Sequence, residues 1–323
     1  MFSPIFSSLD RMELLTYSYE IEQICALYYL NKISLDAAEV MIKSSTDLQL
    51  YNIMQSRHVN FRPSDLSSVW HDSNPWRYII RLFQKGDQAV PERIAKERPI
   101  LALTTHQLLG YSKPVFSGLE EKVTFIDIVR HPLYMIKQLK ISCADLLTDN
   151  QNPRLFEMQY SHNDKTVSYY AKNWEELWCS MDKSNTIGLA IHYIDQLTRV
   201  RNNIKKKLKN KYEGQILTIP FEKFVLNPWP YLKQVEKLLG TKVTKLTRKM
   251  LRKQNVPRNK VSDGISLNVY KRFGWEPPAK GLSERDELNM RRQFAVEEGA
   301  SNHEMEILDK ISDDYENTYG LWF

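Results

Sequence analysis

Two hydrophobic periods alternate along this chain, and the switch between them outlines the fold. From Ser18 to Asn31, "SYEIEQICALYYLN" spaces its apolar residues three and four apart, the repeat of a helix with one buried face. Ser34 stands ahead of "LDAAEVMIKSS", with Asp36 and Glu39 near its start, which predicts a second, capped helix. Arg57 to Asn74 is polar without a period and reads as irregular. After that, compact apolar runs predict buried strands at Ile100 to Thr104, Val123 to Val129 and Ile216 to Ile219. A helix opens on Pro132, and after a polar stretch through Asn152, Asn163 and Asp164 a long one runs from Thr186 to Leu208. "NPWPYLKQVEKLLG" predicts a helix closed by Gly240, and Ser283 with Asp286 starts another at the capping-box offset. "FGWEPPAKG" before it reads as a connector or a lid, and "ISDDYENTYGLWF" as a docked helix ending in an aromatic plug. Strands alternating with helices predict an α/β fold of three layers with a central parallel sheet and extra helices at both ends. The expected organisation is a single domain over 1–323: mainly helical to 98, an α/β core over 99–240, then a basic loop and C-terminal helices.

Composition narrows the class. At 323 residues and 42% hydrophobic, the chain can bury a sizeable core. No apolar run approaches a membrane span, and MFSPIFSSLD lacks the basic-then-apolar order of a signal peptide. Cys25, Cys143 and Cys179 are odd in number and far apart, which predicts reduced thiols and a cytoplasmic protein. His58, His71, His162, His192 and His303 have no partner at metal-ligand spacing, so no metal is expected. Net charge is +6, and it is unevenly placed. Lys242 to Lys260 holds eight Lys or Arg and no acid, leading into Pro257 and the Asp263-Gly264 turn, where basic side chains are free to converge on an anion. "KKKLKNK", from Lys205, reads instead as a helix end matched to its dipole. The longer run lacks the interleaved aromatics that stack on bases, so nucleic acid is not the expected partner.

In open parallel sheets, ligands bind beyond the carboxyl ends of the strands, where helix N-termini offer free N–H groups. The three predicted strands deliver His106, Arg130 and Phe221-Glu222 to that edge. Arg130 precedes a helix opening on Pro132, and a guanidinium beside free amides is suited to gripping a phosphate through two parallel hydrogen bonds.

Three segments in order, "LTTHQLLG", "FIDIVRHPLYMI" and "ILTIPFEKFVLNPWPYLKQVEKLLG", resemble the sulfotransferases that use 3′-phosphoadenosine 5′-phosphosulfate (PAPS). Members carry a strand ending Lys-Thr-His, a later strand ending Arg-x-Pro that opens a helix, and a strand running into Tyr-Glu-Asp-Leu before a helix ending Phe-Leu-Gly. The likeness spans Ile100 to Gly240 and, more faintly, the basic run after it. It implies a P-loop nucleoside-triphosphatase-like architecture and transfer of a sulfuryl group from PAPS to a hydroxyl acceptor, without a metal. A carbohydrate is one acceptor class that the basic charge would suit. It also implies that His106 takes the acceptor's proton and that Arg130 binds the 3′-phosphate with help from Gln138. Phe221 would lie near the adenine, and Arg252, Lys253, Arg258 and Lys260 would complete the phosphate site. The sequence departs from the family at three points: Thr104 replaces a common lysine, Gln138 replaces a common serine, and no Pro-x-Ser-Gly-Thr-Thr-like donor loop is found. A start downstream of that loop would account for its absence, and the alternative expectation is a sulfotransferase-like protein that binds a nucleotide or polyanion without turnover.

Overall fold

The computed structural model describes residues 1–65, 67–147, 158–182, 184–208, 211–212, 214–277 and 281–321. Asn152, residues 278–280 of the aromatic loop and the Trp322-Phe323 end of the expected plug lie outside them. Along the chain come α1 (Phe2–Phe6), β1 (Thr16–Tyr17), α2 (Tyr19–Tyr29), α3 (Leu35–Ile53), α4 (Trp76–Arg81), α5 (Ala89–Glu97), β2 (Leu103–Thr104) and α6 (Lys113–Leu119). Then follow β3 (Phe125–Val129), α7 (Pro132–Leu147), β4 (Gln159–His162), β5 (Lys165–Ser168), α8 (Glu175–Ser180), α9 (Thr186–Leu208), β6 (Ile216–Pro220) and α10 (Phe221–Leu226). The last helices are α11 (Trp229–Leu239), α12 (Lys245–Lys253), α13 (Asn268–Arg272), α14 (Glu284–Glu297) and α15 (Asn302–Tyr319).

The fold is α/β and 58% helical, with small sheets. Among the described residues the strands pair two by two, β1 with β2, β3 with β6 and β4 with β5, where the pattern predicts one central sheet. The run from Ile100 does form a ladder: its N–H donates to the Arg11 carbonyl, and Ile100, Ala102 and Thr104 carbonyls accept from Glu13, Thr16 and Ser18. Its parallel partner, residues 11–18, has no alternating pattern of its own, because Glu13 is buried there beside Met12 and Leu14. The β4–β5 hairpin turns on Asn163 and Asp164, whose φ values of 48° and 60° are the left-handed pair of a tight two-residue turn.

The chain divides into two compact units. The first comprises 1–125, 212–217 and 229–256, and the second 126–211, 218–228 and 257–323. In the first, Leu14, Ile53, Met54, Val69, Tyr78 and Val90 form a buried cluster. Arg81 lies inside it with Glu13: Nη1 and Nη2 donate to the two carboxylate oxygens at 2.8 and 3.0 Å, and the Tyr78 hydroxyl adds a bond to Oε2 at 3.0 Å. Segment 229–256 returns to the N-terminus, where the Thr247 hydroxyl donates to the Ser8 carbonyl at 2.8 Å and Arg11 donates to the Gly240 carbonyl at 2.6 Å. Gly240 closes α11 at φ 59°, the left-handed position expected for it. In the second unit α9 packs on α7 and α15, burying Ile187, Leu189, Ile191 and Ile194, while Ser283 caps α14 in a box with Asp286. Among the described residues, no helix is long and apolar enough to cross a membrane.

Candidate functional site

The end of β3 in the second unit is where the most unusual chemistry collects. Val129 is buried, Arg130 leaves the strand, and His131 caps α7: its Nδ1 accepts the Leu133 N–H at 3.2 Å. That bond fixes the tautomer, so Nε2–H donates to Glu316 Oε1 at 3.2 Å. Glu316 also receives Arg285 in a two-pronged ion pair, at 3.2 and 3.1 Å. His131 is fully buried. Burial holds its pKa below the ordinary imidazole value, against the raising influence of Glu316 and with further lowering from Arg285 and Arg291. It is therefore a packing and capping residue.

Glu222, the second residue of α10, is buried beneath this turn. It accepts the His131 backbone N–H at 2.9 Å and the Tyr315 hydroxyl at 2.6 Å. Burial pushes its carboxyl above the usual range, and those hydrogen bonds together with Arg130 only partly compensate.

Arg130 lies above the Phe221 ring, its guanidinium carbon 4.8 Å from the ring centre and 5.7 Å from that of Tyr134. Arg258 approaches the same Phe221 ring at 5.9 Å. It is fixed by its own backbone, which donates to the Val225 carbonyl at 2.7 Å, and by Nη1, which donates to the Val261 carbonyl at 3.0 Å. Burial lowers the pKa of both arginines; Glu222 opposes this at Arg130, where Arg291 lowers it further, and Asp263 opposes it at Arg258, where Arg130 lowers it further. Among the described residues Arg130 has no ion pair, and its buried Nε has no hydrogen-bond partner. Tyr270 lies in the field of both arginines, which work against the rise that burial imposes on its hydroxyl. Two cations thus approach one aromatic ring in a poorly solvated place, where an anion would be attracted.

No family model, curated protein or solved structure matches this chain.

Of the residues that the sequence singles out, Arg130, Phe221 and Arg258 come together in the second unit. Lys260 belongs to that unit too, but its Nζ donates to the Leu282 carbonyl. Gln138 is exposed on α7. Arg252 and Lys253 are exposed at the end of α12 in the first unit, as members of a different surface. His106 also belongs to the first unit, just after β2. Its backbone N–H donates to Glu22 Oε2 at 2.9 Å, and its Nδ1 lies 3.5 Å from the same oxygen. The ring, 4.8 Å from that of Tyr17, is 74% exposed. The Glu22 hydrogen bond raises its pKa, with partial burial opposing and the Glu22 charge assisting. An imidazole oriented by a carboxylate and open to solvent is the arrangement of a general base with its positioning partner.

Tyr134, Tyr270 and Arg291 were not legible as site residues. Tyr134, four residues after Arg130, offered a helical-spacing signal; Arg291, whose guanidinium lies 4.6 Å from the Tyr134 ring, and Tyr270 offered none. The first unit also has a mixed-charge cavity of about 390 Å³ lined by Arg11, Glu13, Arg77, Arg81 and Glu97. Its strongest cation, Arg81, is already matched by Glu13. Among the described residues no group of three or more His, Cys, Asp or Glu is arranged to hold a metal.

Proposed function

We propose that the second unit binds the 3′-phosphate of an adenine nucleotide on Arg130 and Arg258 against Phe221, and that the chain is a PAPS-dependent sulfotransferase acting on a hydroxyl acceptor. The observation supporting this is the pair of guanidiniums near one ring, with burial working against both charges and Arg130 also working against that of Arg258. A phosphate dianion would give the buried Nε of Arg130 the partner it lacks, with Arg258 close by to share the charge. In the transfer step the acceptor oxygen forms a bond to sulfur as the bond from sulfur to the 5′-phosphate oxygen breaks. The hydroxyl proton passes to a base, the role that the family resemblance gives His106, and the bisphosphate leaves as an anion. A second reading, binding without turnover, is supported by Thr104 standing where the family has lysine.

Calorimetry with adenosine 3′,5′-bisphosphate tests the pocket. Wild type is expected to bind, with Arg130→Ala and Arg258→Ala each weaker by about tenfold or more, the loss of one charge-assisted pair. Equal binding by wild type and Arg130→Ala, or no binding by either, removes the assignment. Transfer of labelled sulfate from PAPS to a panel of hydroxyl acceptors separates the two readings, and His106→Ala should abolish transfer while leaving bisphosphate binding intact.

A further inference from the structure

Independently of the nucleotide reading, we propose that α11 and α12 form a docking face for an anionic lipid bilayer. From Trp229 to Lys253 the chain carries eight Lys or Arg against one acid, Glu236. That surplus of seven exceeds the +6 of the whole chain, so the remainder is slightly acidic and the basic character is local. All eight cations are exposed, and none forms an ion pair among the described residues.

Five of them, Lys245, Arg248, Lys249, Arg252 and Lys253, fall at helical spacing on one side of α12. The opposite side is committed to the unit. Thr247, Met250 and Leu251 are buried, and the Thr244 and Thr247 hydroxyls donate to the Ser8 carbonyl at 2.9 and 2.8 Å. The helix therefore cannot turn its apolar side outward and insert; it presents a charged surface that meets a partner by lying on it. The exposed apolar atoms alongside belong to Leu246 and Trp229, the latter 5.7 Å beneath the Arg248 guanidinium.

The choice of a bilayer over a nucleic acid follows from the residue types. Six of the eight cations are lysines, compact point charges suited to a diffuse array of headgroups. Strand recognition draws instead on arginine forks and open aromatic platforms, and the exposed Trp229 ring beside these cations has a guanidinium over it. A tryptophan beside a lysine-rich surface also suits the headgroup level of a membrane.

Sedimentation of the full chain with phosphatidylcholine vesicles, with and without phosphatidylserine, tests the proposal. The expected result is binding only when phosphatidylserine is present, lost as salt shortens the screening length. Each removed cation should cost about fivefold in affinity, so Lys245→Ser/Lys249→Ser/Lys253→Ser should fall by on the order of a hundredfold. Should that triple variant fold poorly, Lys233→Ser/Lys237→Ser on α11 provides a second measurement, with an expected loss of about twenty-five-fold. Equal binding to uncharged vesicles, no binding to charged ones, unchanged affinity in a folded variant, or preference for duplex RNA over phosphatidylserine vesicles at matched salt would overturn it.

Discussion

Each unit draws an arginine into poorly solvated surroundings, and the two solve the resulting problem in opposite ways. Arg81 meets both oxygens of Glu13, and Tyr78 completes that carboxylate. Although burial works against its charge, the Glu13 hydrogen bonds and charge outweigh it and Arg81 is held above its ordinary pKa. Arg130 has a carboxylate nearby in Glu222, but that carboxylate is spent on the His131 N–H and the Tyr315 hydroxyl. Its pKa is lowered and its Nε is unmatched. A completed pair is architecture, whereas an uncompleted one beside a second cation is where the proposed phosphate would bind.

The sharpest way to break this comparison is to remove each arginine. Arg81→Met leaves Glu13 buried without its partner and should cost about 3–5 kcal/mol in urea unfolding. Next in size is Glu222→Gln, which keeps the shape but weakens the bonds to His131 and Tyr315, with an expected loss of about 1–3 kcal/mol. Its pH dependence adds a sign. Because the folded Glu222 pKa is raised, the native state holds more protons just above the ordinary carboxyl range, so wild-type stability should fall as pH rises through that window. His131 has the opposite sign. Its folded pKa is lowered, so its contribution is intact above the ordinary imidazole value and is lost as pH falls below it, a slope that His131→Asn should remove.

Arg130→Met should change stability by less than about 1 kcal/mol, since the charge it removes is poorly compensated. The same substitution should reduce stabilisation by adenosine 3′,5′-bisphosphate in thermal melts, in line with the weaker binding. If Arg130→Met destabilised the protein as much as Arg81→Met, Arg130 would be structural and the contrast would fail. The smallest effect belongs to His106. Its raised pKa gives a contribution present below the ordinary imidazole value and fading as pH rises past the folded one. Being mostly exposed, the pair with Glu22 should be worth under about 0.5 kcal/mol. Nuclear magnetic resonance titration should show His106 above the free value and Glu22→Gln returning it.

The long helices were legible because nothing distant was needed to specify them. Thr186 to Leu208 has its apolar side and charged end written locally, and Ser34 and Ser283 cap the helices that follow them. The strands were legible as apolar runs, but their partners were not: residues 11–18 pair with 100–104 around a buried glutamate that the pattern marks as polar. At the site, Arg130 and Phe221 could be anticipated from strand ends, whereas Tyr270 and Arg291 reach it from segments more than a hundred residues later in the chain. The same distance hid the true occupation of His131, whose partner Glu316 comes from α15.

The first unit is assembled from three separate stretches, and its closing contacts join Arg11 to Gly240 and Ser8 to Thr247. A growing chain that has reached residue 125 therefore possesses most of this unit but not the piece that fastens its beginning. The N-terminus must wait through the synthesis of a hundred further residues, ten seconds or so at about 10 residues per second, before its last partners emerge. During that interval Ile5, Phe6 and Leu9, buried in the finished protein, have yet to gain the cover of α12. The order of translation thus makes residues 5–9 among the last parts of this unit to be secured, an apolar stretch that a chaperone could hold in the meantime.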